Sequence, residues 1–289
     1  MINIFYNIDS YGGMTRGPTK VVKNLLQSLD DCDIPYSINN ELYEYNLFLA
    51  LDDFAYGHYL KLKNKKNVLI GPQIAFWENS WKYLSHMEYL NLLIPSKWVD
   101  NLFDKFFPEV ETCIWPVAIY SPEINNDQKY DCLVYYKNRS ENDLNYLINF
   151  LNKKNISYVG LQYGNYTPDE FIECLSQVKY CIILDNTESQ GIAIQEMMAC
   201  NKPLLVWDVK EWDYLGDQYK VPATSVPYWS ADCGEKFYEA CELKSTFDIF
   251  SANIDRYNPK KLIDSELSYK VSVEKLLNFF EKDNNDDVT

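Results

Sequence analysis

The chain has 289 residues, 47% of them hydrophobic and 16% aromatic, and a formal net charge of −15. That length favours two domains, and that apolar content supplies packed cores and excludes a disordered chain. The acidity repels phosphate backbones, which excludes general nucleic-acid binding and requires any phosphate ligand to be held by a local cationic site.

In chain order, short apolar runs read as strands at 2–8, 46–52, 67–71, 91–95 and 113–116, and then at 130–137, 157–164, 179–185 and 203–208. Amphipathic stretches between them read as helices at 18–29, 97–107, 140–153, 168–177, 189–200, 231–244 and 267–281. Asp52–Asp53 reads as a strand end and helix cap rather than a metal-binding acidic pair. Short buried strands alternating with helices predict an α/β fold with parallel sheets. The pattern breaks at SPEINNDQKYD (121–131), which is polar, aperiodic and contains Pro122, so the inter-domain linker is expected there. The expected domains are a Rossmann-like first half over 1–122 and a second over 129–265, their sheets facing a central cleft. A helix and acidic tail follow over 266–289, the helix free to cross back to the first domain.

The eight Cys show no C-x-x-C or metal-ligand spacing. They read as free thiols in a reducing compartment, with Cys132, Cys181 and Cys200 buried in or beside apolar runs. The N-terminus MINIFYNID has no basic leader region, and no apolar run reaches about 18 residues. The expectation is a cytoplasmic protein without an integral membrane segment; the sequence is also compatible with a homodimer.

The chemistry concentrates in KYCIILDNTESQGIAIQEMMACNKPLLVWD (179–208). A strand ends near Asp185, the turn NTESQG follows, and a helix then turns Ile192, Ile194, Met197 and Met198 to a core. Ligands of open α/β sheets bind beyond the carboxyl ends of strands. The free N–H groups of Ser189, Gln190, Gly191 and Ile192 at such a helix start attract phosphate, and Gly191 permits close backbone approach. Glu188 and Glu196 bracket this helix start, and carboxylates accept hydrogen bonds from sugar hydroxyls. The plainer reading of this pair is solvent-facing helix charge.

ESQGIAIQEMMACNKPLLV (188–206) resembles the E-x7-E signature of the GT-B glycosyltransferases of group 1, family 4. It keeps Glu188, Gly191, Glu196, Met198, Ala199 and Pro203, with Gln190 for the usual aromatic and Asn201 for the second Gly. The resemblance implies that Glu188 contacts the donor sugar and Glu196 the ribose. In VYYKNR (134–139) it implies Lys137 and Arg139 on the donor diphosphate, where two cations would stabilise the leaving group; the plainer reading is a solvated strand end. It also implies that Gly12 and Gly13 approach donor or acceptor, and that the Tyr163–Gly164 turn meets the base.

The family's first-domain cleft His has no counterpart in IGPQIAFWENSW (70–81), and His58 and His86 read as surface or packing residues. The resemblance implies a retaining hexosyltransferase that needs no metal or cofactor. Its donor would be a nucleotide diphosphate sugar, GDP-mannose or a UDP-sugar, and its acceptor a glycan or other hydroxyl. The shortness of the chain and the missing His keep open a non-catalytic two-domain binder of sugars or nucleotide sugars. A nucleotide-sugar epimerase of GT-B shape is a third reading.

Overall fold

In the computed structural model the described residues are 1–7, 17–40, 43, 45–62, 65, 67–74, 82–87, 91–125, 127–212 and 220–285, without the side chains of Ser85 and 282–285. Gly12, Gly13 and most of the 70–81 loop lie outside them.

The first sheet contains β1 (Ile2–Phe5), β2 (Tyr36–Ile38), β3 (Tyr45–Ala50), β4 (Val68–Gln73), β5 (Asn91–Ile94) and β6 (Glu111–Ile114). Their order is β2-β1-β3-β4-β5-β6, and every pairing is parallel. The second sheet contains β7 (Tyr130–Tyr136), β8 (Tyr158–Gln162), β9 (Val178–Leu184) and β10 (Leu204–Trp207). After a small antiparallel ribbon of β11 (Glu211–Trp212) and β12 (Val221–Pro222), β13 (Gly234–Phe237) joins the same sheet. Its order is β13-β10-β9-β7-β8, again all parallel. Central strands such as Cys181–Leu184 are wholly buried, the continuous apolar pattern of strands covered on both faces.

The helices of seven or more residues are α1 (Gly17–Asp31), α2 (Asp53–Tyr59), α3 (Lys97–Phe106), α4 (Glu141–Lys153), α5 (Pro168–Ser176), α6 (Ile192–Ala199), α7 (Leu243–Asn253) and α8 (Tyr269–Asn285). Their starts follow local chemistry. Asp52 accepts the Ala55 amide at 2.8 Å and caps α2, as its sequence position predicts. Thr167 and Glu170 form a capping box at α5, with Pro168 in the first turn. α1 buries Val21, Val22, Leu25 and Leu29, a stripe at helical spacing.

The chain divides into two compact units, Met1–Ala118 with Leu267–Thr289, and Ile119–Glu266. Within the first, α8 packs against α1. The wholly buried Trp115 donates its indole N–H to Ser272 O at 2.9 Å, and Ser272 Oγ donates to Pro116 O at 3.0 Å.

Two expectations are corrected. The stretch 231–244 is not one helix. It begins with β13, where Gly234 (φ +139°) lies so close to β10 that a Cβ would meet Leu204 O at 1.9 Å. Only glycine permits that parallel pairing, and Phe237 then buries against Trp207, their rings 5.2 Å apart. Helical structure resumes after Glu239, and α7 starts at Leu243. Cys200, expected buried, is only partly so, whereas Cys132 and Cys181 are buried. His58 packs against Phe5 and Phe54, and His86 Nδ1 lies 2.8 Å from Lys82 O.

Among the described residues no helix is long and apolar enough to cross a membrane.

Candidate functional site

The order of the second sheet reverses between β7 and β9. Beyond the carboxyl ends of the two strands flanking such a reversal, the connecting segments part and leave a crevice. Lys137 and Arg139 follow β7 there, and Asp185 to Gly191 follow β9. The first sheet reverses in the same way between β1 and β3.

Backbone bonds fix the exits of the strands. Lys137 N–H donates to Leu184 O at 2.9 Å, and Tyr163 N–H to Tyr136 O at 2.9 Å. The ends of β7, β8 and β9 are thereby held side by side, and Asn138 (φ 50°) turns the chain between Lys137 and Arg139.

The Lys137 ammonium donates to Glu188 Oε1. Both side chains are largely withdrawn from water, at 15% and 16% exposure. The same ammonium lies 4.3 Å from the centre of the Tyr163 ring, a cation–π contact. Burial presses Lys137 toward its neutral form, but the neighbouring carboxyl groups, Glu188 first among them, outweigh it and its pKa is raised. Three of the sequence-predicted residues, Lys137, Tyr163 and Glu188, therefore converge.

Arg139 stands at the same sheet edge with a different occupation. Its Nη1 donates to Asp185 O at 3.1 Å and Trp207 O at 3.3 Å, its Nε donates to Asp143 Oδ2 at 3.1 Å, and the guanidinium stacks 5.3 Å from the Trp207 ring. It braces the ends of β9 and β10.

The turn before α6 differs from its predicted form. The helix begins at Ile192 rather than 189, because Gly191 is left-handed (φ 80°, ψ 46°) and caps it. A Cβ on Gly191 would also lie 3.6–3.8 Å from Glu188, Ser225 and Pro227. The amides of Gly191 and Ile192 take no backbone acceptor among the described residues. Ser189 is partly exposed, whereas Gln190 is buried. Gln190 Nε2 donates to Gln195 Oε1 at 3.1 Å, and Gln195 Nε2 returns a bond to Gln190 O at 2.9 Å. This amide pair holds the turn where the signature's usual form has an aromatic. Glu196, partly buried, lies further along α6, where its charge helps to raise Tyr166 to about 12, behind burial as the main cause.

Two carboxylates to which the sequence reading gives no role complete the site. Asp208, at the end of β10, accepts the Val209 amide (2.8 Å), the Thr224 hydroxyl (2.7 Å), the Ser225 amide and hydroxyl (2.7 and 2.9 Å) and Lys236 Nζ (3.1 Å). It pins a segment whose Thr224 O accepts the Glu188 amide at 3.2 Å. Asp185 is fully buried, and its carboxyl is pushed well above the usual carboxylate range, first by loss of water and then by the charge of Glu188. The signal available for both was an acidic residue closing an apolar strand at the carboxyl edge of a parallel sheet. Among the described residues no group of three His, Cys, Asp or Glu converges to hold a metal.

No family model matches the chain, nor does any curated protein sequence. Solved structures do match. A TarM variant from S. aureus, crystallised with fondaparinux, α-GlcNAc-glycerol and UDP, aligns at 15% identity and a TM-score of 0.54 over 81% of this chain. This chain spans 55% of that TarM chain, about half its length. Sucrose-phosphate synthase from Thermosynechococcus elongatus aligns at 9% identity and a TM-score of 0.57, covering 97% of this chain and 98% of that one. The lipopolysaccharide outer core galactosyltransferase WaaB aligns at 10% identity and a TM-score of 0.57, covering 97% and 99%. These likenesses, together with two parallel sheets each reversing beside its first strand, give the chain the α/β fold of the GT-B glycosyltransferases.

Proposed function

We propose that the chain is a retaining glycosyltransferase of the family-4 kind. It moves a hexose from a nucleotide diphosphate sugar, GDP-mannose or a UDP-sugar, to a hydroxyl of a glycan or other acceptor. The observation that carries this reading is the partly buried Lys137–Glu188 pair at the switch point of the second sheet, beside the glycine-capped start of α6. A cation, a carboxylate and outward amides together suit a ligand with a diphosphate at one end and hydroxyls at the other.

In the transfer, the bond from the anomeric carbon to the diphosphate breaks. The acceptor oxygen bonds to that carbon on the same face, and its proton passes to the departing phosphate oxygen. Lys137 stabilises the charge developing on the diphosphate. The amides of residues 189–192 receive phosphate oxygens, Glu188 holds the sugar hydroxyls, Glu196 the ribose and Tyr163 the base. Gly12 and Gly13, which lie outside the described residues, are proposed to approach donor or acceptor. Arg139 supports the diphosphate site through the strand ends it braces. No step calls for a metal or cofactor. The UDP seen with TarM puts UDP-sugars first among donors to try.

The test is incubation with labelled UDP- and GDP-sugars and a panel of hydroxyl acceptors, following nucleotide release and the anomer formed. Lys137→Ala and Glu188→Ala are each expected to lower turnover roughly 10²–10³-fold, the loss typical of one interaction made in the transition state. Unchanged turnover in Glu188→Ala removes its assignment. Binding without nucleotide release favours the non-catalytic reading, and sugar interconversion without acceptor favours the epimerase.

A further inference from the structure

The carboxyl of Asp185 interacts with both members of the Lys137–Glu188 pair and is not used by the transfer just described. Its Oδ1 accepts the Asn186 amide at 2.7 Å. Its Oδ2 is buried and receives no hydrogen bond from the described residues. Glu188, another carboxylate, lies in hydrogen-bond reach of the Asp185 side chain. Two carboxylates in contact without a donor between them repel, and the contact becomes favourable when one of them carries a proton. Lys137 engages Glu188 Oε1, which marks Glu188 as the anion and leaves the proton to Asp185.

We propose that Asp185 is a positioning residue that holds a proton on Oδ2 and donates it to Glu188, so that Lys137, Glu188 and Asp185 together carry no net charge when a diphosphate-bearing ligand enters. The binding half of this proposal rests on the donor-site reading above; the proton itself does not.

The surroundings agree. The groups facing Asp185 are Lys137 beyond β7, Glu188 in its own turn, the neutral phenol of Tyr135 on β7, and the Arg139 guanidinium, which is bonded to the main-chain oxygen of Asp185. Burial and Glu188 favour the protonated acid, and Lys137 opposes them. Loss of the proton would leave the triad with one net negative charge, in a chain already at −15, where a ligand bearing two negative charges must bind. The arriving diphosphate also competes with Glu188 for Lys137. A protonated Asp185 then keeps one hydrogen bond on Glu188 and holds its carboxylate in place for the sugar.

Carbon-13 spectra of protein labelled at aspartate carboxyls test the proton without any ligand. One resonance is expected to keep the shift of a protonated acid through neutral pH, to be missing in Asp185→Asn, and to titrate at lower pH in Glu188→Gln. If every aspartate carboxyl titrates in the ordinary acidic range, the proposal is overturned; this needs only the wild-type protein, so a variant that misfolds does not remove the test. Calorimetric titration with UDP-glucose and GDP-mannose, whose diphosphate diesters keep a constant charge near neutrality, tests the consequence. For the sugar nucleotide that binds, wild-type affinity should fall about tenfold per pH unit above the point where the resonance moves, while Asp185→Asn stays flat. A wild-type profile as flat as that of the variant overturns the binding half. Binding of neither sugar nucleotide at any pH overturns the donor-site reading, and the carbon-13 result then stands or falls by itself.

Discussion

At the residue scale, Asp185 couples the site to the stability of its unit. A carboxyl whose folded pKa is raised keeps a proton that the unfolded chain releases. Its contribution is therefore full below the unfolded value of about 3.9 and declines as pH climbs toward the folded value. Within that window the loss is roughly 1.4 kcal/mol per pH unit. Asp185→Asn keeps a donor toward Glu188 and has no proton to lose. Its melting temperature relative to wild type should rise steadily with pH from acidic to neutral conditions. A difference that stays constant with pH would mean that Asp185 is ionised in the folded protein. Arg139 shows how burial redefines a residue that sequence makes look like a ligand. Three of its donor contacts are taken by Asp185 O, Trp207 O and Asp143, and a guanidinium stacked on Trp207 is a poor match for a mobile diphosphate.

At the element scale, the carboxyl ends of β9 and β10 are tied together by the segment 224–226. Asp208 takes bonds from that segment, from the Val209 amide and from Lys236, with its own side chain 1% exposed. Removing one partner of a buried charge pair costs about 3–5 kcal/mol. Asp208→Ala should destabilise by that order in urea unfolding. In folded protein the Glu188 amide should exchange hydrogen faster, because its acceptor Thr224 O rides on the released segment. Unchanged exchange at Glu188 would separate Asp208 from the turn that holds it. The elements themselves were largely legible. The runs around 130–137, 157–164 and 179–185 became β7, β8 and β9 within a few residues, because apolar runs and capping chemistry are local. The failure at 231–244 has a non-local cause: Gly234 is strand because Leu204 O lies against it, and nothing within that stretch reveals Leu204. The start of α6 moved from 189 to 192 because Gly191 went left-handed under the 225–227 segment, another long-range neighbour.

At the scale of the whole molecule, one unit is assembled from both ends of the chain. Leu276 on α8 is fully buried, and Phe280 meets Tyr45 of β3 edge-on at 5.3 Å. Leu276→Ala should cost about 2–5 kcal/mol, read as a lower urea midpoint for the transition reported by Trp115, whose indole is bonded to the same helix. An unchanged midpoint would mean that α8 contributes little to its unit. Contacts separated by 157 residues also make this unit wait for nearly the whole chain before its core can close.

The sequence by itself determined the succession of strands and helices, the parallel α/β class and the turn where acidic residues meet a helix start, since each is written in neighbours a few residues apart. Only the tertiary structure decided that β9 lies beside β7, which brings Lys137 to Glu188 across 51 positions. It also decided that Arg139 is spent on carbonyls and that Asp185 faces a second carboxylate out of reach of water. Those outcomes depend on which surfaces exclude solvent. Charge and hydrogen bonding take their strength from that exclusion, which no local pattern records.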